Sequence, residues 1–165
     1  MSAISLRRLQ FLIIDDNAPM RAIIRNILKE LQVESIREAQ DGTDALALLK
    51  EVSFDMIITD WNMKPMNGLQ FVRSIRLSKD TPNRYIPIIM VTAFTELGQV
   101  VTARDAGITE FLAKPVSARS LFSRIKAVIE NHRQFVRSQN FFGPDRRRRK
   151  ASSFSGTERR DVVMM

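Results

Sequence analysis

Short apolar runs alternate along this chain with longer segments in which apolar residues recur every three or four positions. Each run is bounded by polar residues and is too short for a helix, which is typical of strands buried in a parallel sheet. The predicted strands cover residues 9–14, 33–39, 56–60, 86–91 and 109–113. The predicted helices cover residues 19–31, 45–49, 69–77, 97–106 and 117–129, and helical spacing continues through Phe135 and Val136.

Five strand–helix units in succession predict an α/β fold, in which helices cover both faces of a parallel sheet. Right-handed crossovers leave few topologies, and the flavodoxin-like, doubly wound order 2-1-3-4-5 with five helices is the one we expect. The predicted domain spans residues 9–130, with a last helix that runs to about residue 138. Residues 1–8 form an N-terminal extension, and residues 139–165 form an arginine-rich C-terminal tail that we expect to be flexible.

Polar residues follow four of the five predicted strands. Asp15 and Asp16 follow the first strand, and Asp60 ends the third. Thr92 follows the fourth strand and Lys114 the fifth. The predicted topology brings these strand ends to one edge of the sheet, at its switch point. Each residue taken alone has a plain structural role as a cap, a turn residue or a solvated charge, but their coincidence at one edge favours a functional site.

Three carboxylates in one cleft repel one another unless a cation neutralises them. Hard oxygen ligands suit Mg²⁺, which binds a few carboxylates and keeps several waters. Asp60 is then a candidate nucleophile for a phosphoryl group. The hydroxyl of Thr92 and the ammonium of Lys114 are candidate donors to the phosphoryl oxygens.

Composition excludes several classes of protein. Cysteine is absent and there is one histidine, His132, so a disulfide framework, thiol chemistry and a histidine-rich metal site are ruled out. No signal-peptide pattern begins the chain, and no run reaches the roughly 18 apolar residues of a membrane span. We therefore expect a cytoplasmic protein. Most of the net charge of +8 lies in residues 131–165, so a nearly neutral domain carries a basic tail.

Five stretches of the chain resemble the receiver domain of two-component response regulators, and in particular the single-domain chemotaxis response regulator. They are Ile13-Ile14-Asp15-Asp16, Thr59-Asp60-Trp61-Asn62-Met63, Met66-Asn67-Gly68, Met90-Val91-Thr92-Ala93 and Lys114-Pro115. The resemblance implies a protein of a phosphorelay that takes a phosphoryl group from a sensor histidine kinase or phosphotransfer protein. It is then not a turnover enzyme.

The resemblance also implies a role for each matching residue. Asp60 matches the phosphoacceptor, Asp16 the direct Mg²⁺ ligand, and Asp15 the acidic partner that acts mainly through water. Asn62 matches the residue that lends its backbone carbonyl to the metal. Thr92 and Lys114 match the switch hydroxyl and the phosphate-binding lysine, and Phe111 matches the aromatic residue that rotates with the switch. The implied output surface is helix 4, strand 5 and helix 5, for a downstream partner such as the flagellar motor switch.

The chain departs from the family pattern at three positions. Lys64 precedes Pro65, where the family has its proline one place earlier, so the loop after Asp60 is expected to differ in shape. Asn67 replaces a common aspartate, and Phe111 lacks the hydroxyl of the tyrosine found in many chemotaxis relatives. The family also has a cis peptide before the proline that follows its lysine, so Lys114-Pro115 is predicted to be cis.

Two other classes of protein fit less well. A phosphatase of the haloacid dehalogenase type also uses an aspartyl nucleophile, but it needs a second aspartate two residues later as general acid or base. Asn62 stands at that position and does not transfer a proton. A histidine phosphotransfer module is disfavoured because His132 lies late on the last helix, away from the carboxylates.

The tail leaves four interpretations open. It is a solvated charged segment, or it binds nucleic acid. It could instead bind a membrane surface, with Phe141 and Phe142 as its apolar wedge, or bind cyclic di-GMP. Arginine pairs with guanine edges, stacks on guanine planes and holds phosphate. The tail also resembles the arginine-rich extensions of chemotaxis-regulator-like effectors of cyclic di-GMP. The candidate ligand-binding residues are Arg146, Arg147, Arg148, Arg149, Arg159 and Arg160.

Overall fold

The structure is a computed structural model, and it describes six ranges of the chain: residues 4–81, 83–93, 97–131, 135–138, 141–144 and 161–163. A five-stranded parallel sheet has the order β2-β1-β3-β4-β5, which confirms the predicted topology. Its strands are β1 (Gln10–Ile14), β2 (Ser35–Ala39), β3 (Met56–Asp60), β4 (Ile88–Thr92) and β5 (Glu110–Ala113). β4 begins two residues later than predicted, after Pro87, which has no N–H to give to a strand ladder.

Five helices connect and follow these strands. They are α1 (Ala18–Glu30), α2 (Gly42–Glu51), α3 (Gly68–Leu77), α4 (Leu97–Ala106) and α5 (Ala118–Glu130). Polar side chains begin four of them: Asn17 caps α1, Asp41 caps α2, and Asn67 and Ser117 form capping boxes at α3 and α5. These caps satisfy N–H groups that have no partner inside the helix, so they define where each helix starts.

The helices cover both faces of the parallel sheet. On one face, residues of α2, α3 and α4 pack with Leu12, Ile57 and Met90. On the other, residues of α1 and α5 pack with Phe11, Ile58 and Val91. All these strand residues are buried, because strands covered on both faces bury neighbouring side chains in opposite directions. Leu6, in the predicted N-terminal extension, is also buried in the second cluster.

The end of the last helix differs from the prediction. α5 ends at Glu130, where the N–H of Asn131 bonds the Ala127 carbonyl, so the predicted continuation to about residue 138 is wrong. Residues Phe135–Ser138 form a strand instead, β6. Phe135 and Val136 are consecutive and both buried, so they fit a strand with two covered faces as well as they fit a helix pattern.

The residues after α5 contribute a second sheet. β6, β7 (Phe141–Pro144) and β8 (Asp161–Val163) are antiparallel, in the order β7-β6-β8, and we call them the C-terminal sheet. We expected a flexible tail from residue 139, whereas Phe141–Pro144 and Asp161–Val163 lie in strands. Within the described ranges, no helix has the length and apolar character needed to cross a membrane.

Candidate functional site

The end of β1 presents two carboxylates with different surroundings. Asp15 is buried and Asp16 is exposed. The Asp15 Oδ1 atom accepts a hydrogen bond of 2.9 Å from the Asn17 N–H, and Asn17 in turn caps α1. The strand end and the helix start are therefore joined through the Asp15 side chain, which is held facing the cleft.

Asp60 ends β3, the neighbour of β1 in the sheet, and is buried. The chain leaves Asp60 and returns closely: the Gly68 N–H donates to the Trp61 carbonyl at 2.8 Å. A Cβ atom added at Gly68 would lie 2.2 Å from the Asp60 carbonyl oxygen. Only glycine allows the start of α3 to approach the end of β3 this closely. The sequence identified Asn67-Gly68 as a turn but did not reveal this contact.

The structure brings the three predicted acidic residues together. Carboxylate oxygens of Asp15, Asp16 and Asp60 all lie within 4.8 Å of one another. Burial raises the pKa of Asp15 to about 6, with the charge of Asp60 adding to the effect. Burial likewise raises the pKa of Asp60, against the opposing effect of Lys114. Crowded oxygen ligands that are costly to ionise fit a small, hard divalent cation such as Mg²⁺.

Lys114, directly after β5, reaches the same cleft. Its Nζ atom lies 3.3 Å from Asp60 Oδ1 and 4.0 Å from Asp15 Oδ2. The backbone N–H of Lys114 donates to the Thr92 carbonyl at 2.9 Å, which ties the ends of β4 and β5 together. The cleft therefore combines three carboxylates with one ammonium group at the carboxyl edge of the sheet.

Thr92 and Phe111 lie on the same face of the sheet. Phe111 is paired in register with Met90, and Thr92 with Ala113, so Thr92 and Phe111 are one step apart along that face. Thr92 is buried, whereas Phe111 is half-buried and packs against the cluster on the α2–α4 side. This placement suits a hydroxyl and a ring whose movements are coupled.

Asn62 is exposed and lines a groove beside Asp16, with Met63, Lys64, Pro65, Asn67 and Gln70.

The Lys114-Pro115 peptide is cis, as predicted. Lys64-Pro65 is cis as well, whereas the sequence predicted only an altered shape for this loop.

Arg21, on α1, supports the end of β1, and it was not among the site residues predicted from the sequence. Its Nη1 atom donates to the backbone carbonyl of Asp15 at 2.7 Å, and its Nε atom lies 3.3 Å from Glu38 Oε1. Arg25 also bonds Glu38, at 2.6 Å. Arg21 lies on a helix rich in apolar residues, so a single sequence shows it only as one more charge on the polar side of α1.

The candidate ligand-binding residues of the tail lie outside the described residues. They are Arg146, Arg147, Arg148, Arg149, Arg159 and Arg160.

Comparison with known proteins gives a consistent result. Residues 11–126 match the response regulator receiver domain family. The chain is similar to the chemotaxis protein CheY-3 of Vibrio cholerae, with 35% identity over 79% of this chain and 98% of the relative. It is also 38% identical to the chemotaxis protein CheY of Pseudomonas aeruginosa, over 74% of this chain and 97% of that one. Among solved structures, Vibrio cholerae CheY4 superposes with a TM-score of 0.66 at 29% identity, covering 73% of this chain and 98% of its own.

Proposed function

Because this chain belongs to the response regulator receiver domain family, which acts in phosphorelay signalling, we propose that it is a single-domain response regulator with Asp60 as its phosphoacceptor. The observation that supports this most is the cleft itself. Lys114 Nζ lies 3.3 Å from Asp60 Oδ1, and the Asp15 and Asp16 carboxylates surround the same acceptor. Asp15, Asp16, Asp60 and the backbone carbonyl of Asn62 would hold Mg²⁺, which would neutralise the negative charge of both the carboxylates and the phosphoryl group.

The proposed reaction is a transfer from a phosphohistidine to Asp60. A carboxylate oxygen of Asp60 forms a bond to phosphorus, while the bond between phosphorus and the imidazole nitrogen breaks. The imidazole keeps the electron pair and takes up a proton from solvent. Lys114 stabilises the negative phosphoryl oxygens, and the walls of the cleft hold Asp60 in line for the attack.

The proposed response to phosphorylation uses Thr92. Its hydroxyl moves toward the phosphoryl oxygens, and the space that it leaves lets Phe111 turn inward. This changes the face made by α4, β5 and α5, which then selects a downstream partner. The donor is a sensor histidine kinase or a phosphotransfer protein. A component of the flagellar motor switch is the partner we favour, because the relatives are chemotaxis proteins.

A test of the acceptor uses acetyl phosphate with Mg²⁺ as the phosphodonor. We expect mass spectrometry to find one phosphoryl group on Asp60, and Asp60→Asn to lose it, because an amide is a poor nucleophile. Stoichiometric labelling of Asp60→Asn would refute the assignment. Steady turnover of an aryl phosphate would instead favour the phosphatase alternative, although Asn62 lacks the carboxyl group with which such an enzyme transfers a proton.

For the tail, we propose that the arginine-rich segment binds cyclic di-GMP as a second input. Two features support this. Five of the six residues in the set Arg146, Arg147, Arg148, Arg149, Lys150 and Arg159 are arginine, which offers planar hydrogen-bonding edges that lysine lacks. The segment also starts after β7 and ends before β8, so both of its ends are held by one sheet, which lowers the entropy lost on closing around a ligand.

Calorimetry with cyclic di-GMP distinguishes this proposal from its alternatives. A variant with Arg146, Arg147, Arg148 and Arg149 all changed to Lys keeps the charge but removes the planar groups, so we expect it to bind at least about tenfold more weakly. Equal affinity would indicate a charge tether. If neither protein released heat, RNA and anionic vesicles would be the next ligands to titrate.

A further inference from the structure

The C-terminal sheet packs against the receiver at the end opposite Asp60. β7 contacts α3 and α4. The receiver residues involved precede β4 and β5 or lie near the end of α3, so they are at the amino-terminal edge of the parallel sheet. We call Arg76, Arg84, Tyr85 and Gly107 the docking surface.

Three aromatic rings form the centre of this contact. The ring of Tyr85 lies 5.0 Å from that of Phe135 and 5.4 Å from that of Phe142, both in edge-to-face geometry. Phe135 and Phe142 are 5.6 Å apart and are both buried. Ring pairs of this kind are worth about 0.5–1.5 kcal/mol each beyond the area they bury. The sheet is therefore fixed to the receiver by specific packing.

Two arginines of the receiver stack on the same rings. The Arg84 guanidinium lies 3.7 Å from the centre of the Phe142 ring, and that of Arg76 lies 5.0 Å from the centre of Phe135. Arg76 is fully buried and donates to the carbonyls of Gly107 at 2.9 Å and Arg84 at 2.7 Å. Removal of Arg76 from water, with Arg84 close by, lowers its pKa to about 9. A buried cation is costly, so the faces of the rings contribute to holding it there.

Glycines let the two backbones meet. Gly107, at φ 106°, ends α4 in a conformation that side chains rarely adopt. A Cβ there would lie 3.3 Å from the Phe142 carbonyl oxygen, and a Cβ at Gly143 would lie 3.1 Å from the Gly107 Cα. The end of α4 is thus in direct contact with β7.

Three elements run from the Asp60 cleft to the docking surface. α3 begins at Gly68, against the Asp60 carbonyl, and carries Arg76 near its other end. β4 begins shortly after Tyr85 and ends at Thr92. α4 follows the Thr92 loop and ends beside Gly107. A helix of ten residues and a strand of five residues each span roughly 15 Å, so both kinds of element extend from one edge of the sheet to the other.

We propose that docking of the C-terminal sheet is linked to phosphorylation of Asp60, so that phosphorylation weakens docking and undocking favours the phosphorylated form. This linkage rests on the proposed function. Arg76 and Phe142 hold the Gly107 end of α4 in the arrangement seen here. A shift of α4 after Thr92 moves therefore distorts these contacts. Linkage between two equilibria is reciprocal. Binding at the Asp60 cleft must therefore change the docking equilibrium by the same factor as docking changes the affinity of the cleft.

The test uses the full chain with Mg²⁺ and beryllium fluoride, an equilibrium analogue of the phosphoryl group. Hydrogen exchange of the β6 and β7 amides should become about 5–150-fold faster when the analogue is bound, the usual range of such coupling. Phe142→Ala, which removes the ring between Tyr85 and Arg84, should bind the analogue more tightly by a similar factor. The fluorescence of Trp61, the single tryptophan and the neighbour of Asp60, reports this binding.

Arg84→Ala serves as a second undocking variant that leaves the aromatic core in place. Arg73→Ala, an exposed change on α3, the helix that carries Arg76, is the matched control and should behave as wild type. Unchanged β6 and β7 exchange in a chain that binds the analogue, with wild-type affinity for the analogue in both undocking variants, would overturn the linkage while leaving the phosphoacceptor intact. If Asp60→Asn bound the analogue as tightly as wild type, the proposed function and the linkage would both be overturned.

Discussion

At the scale of single residues, Asp15 shows the conflict between stability and function most clearly. It is buried within the carboxylate cluster, and its pKa is raised to about 6 from 3.8, first by burial. The ionised form that a metal needs is thus the form that the folded chain disfavours. The nearby Lys114 ammonium offsets only part of this cost.

We therefore predict that Asp15→Asn stabilises the metal-free protein at neutral pH. The raised pKa of Asp15 in the folded chain favours folding while the carboxyl group is protonated. This contribution is fully present below pH 4 and is lost as the pH rises through about 6. A shift of this size corresponds to about 3 kcal/mol. Urea unfolding of the wild type without Mg²⁺ should show this decline between pH 4 and 6, and Asp15→Asn should show a smaller one.

With saturating Mg²⁺ at pH 7, the wild type should instead be more stable to urea than Asp15→Asn, because Mg²⁺ binds the carboxylate more strongly than the amide. Identical pH profiles for wild type and Asp15→Asn would contradict the prediction.

At the scale of elements, the start of α3 lies in close contact with the end of β3, at Asp60. The approach of Gly68 to Asp60 leaves no room for a side chain, and the obstructing atom is a backbone oxygen that does not rotate away. The capping box of Asn67 and Gln70 holds this end of the helix in place. Local capping and close backbone contact together connect α3 to the chemistry.

We predict that Gly68→Ala destabilises the protein by about 1–3 kcal/mol, as overpacking usually does, and slows phosphorylation by acetyl phosphate because Asp60 is displaced. Chemical denaturation and the initial rate of labelling measure the two effects. Gly98→Ala, on α4, is the matched control, since an added Cβ there meets no atom within 4 Å. It should be neutral or stabilising by up to about 1 kcal/mol. Equal behaviour of the two variants would refute the role of the close approach.

At the scale of the whole molecule, the acidic cleft and the docking surface lie at opposite edges of the parallel sheet. Its carboxyl edge holds the acidic cluster and Lys114, and its opposite edge holds the docking surface for the C-terminal sheet. The family match covers residues 11–126, so β6, β7 and β8 all lie beyond it. Any signal between the cleft and these added strands must pass through the elements that span the domain.

We predict that Thr92→Ala accepts phosphate on Asp60 but no longer discriminates between partners. The variant keeps the acceptor and Lys114, so labelling with acetyl phosphate should remain within about threefold of wild type. It lacks the hydroxyl that moves, so phosphorylation should no longer alter the affinity for a protein bound on the α4–β5–α5 face. Pull-down with phosphorylated and unphosphorylated protein measures this, and a wild-type response in Thr92→Ala would contradict the proposed switch.

The sequence alone determined the α/β class, the order of the five parallel strands and the meeting of Asp15, Asp16 and Asp60. This was possible because strand periodicity, right-handed crossovers and the edge where strands end are local or general rules. Only the tertiary structure revealed the contact of Gly68 with Asp60, the support of Asp15 by Arg21 and the burial of Arg76. It also replaced the predicted end of α5 with β6, since Phe135 and Val136 suit a helix or a strand until β7 and β8 pair with them. Contacts between distant segments depend on where the folded chain places them, and no local pattern of residues carries that information.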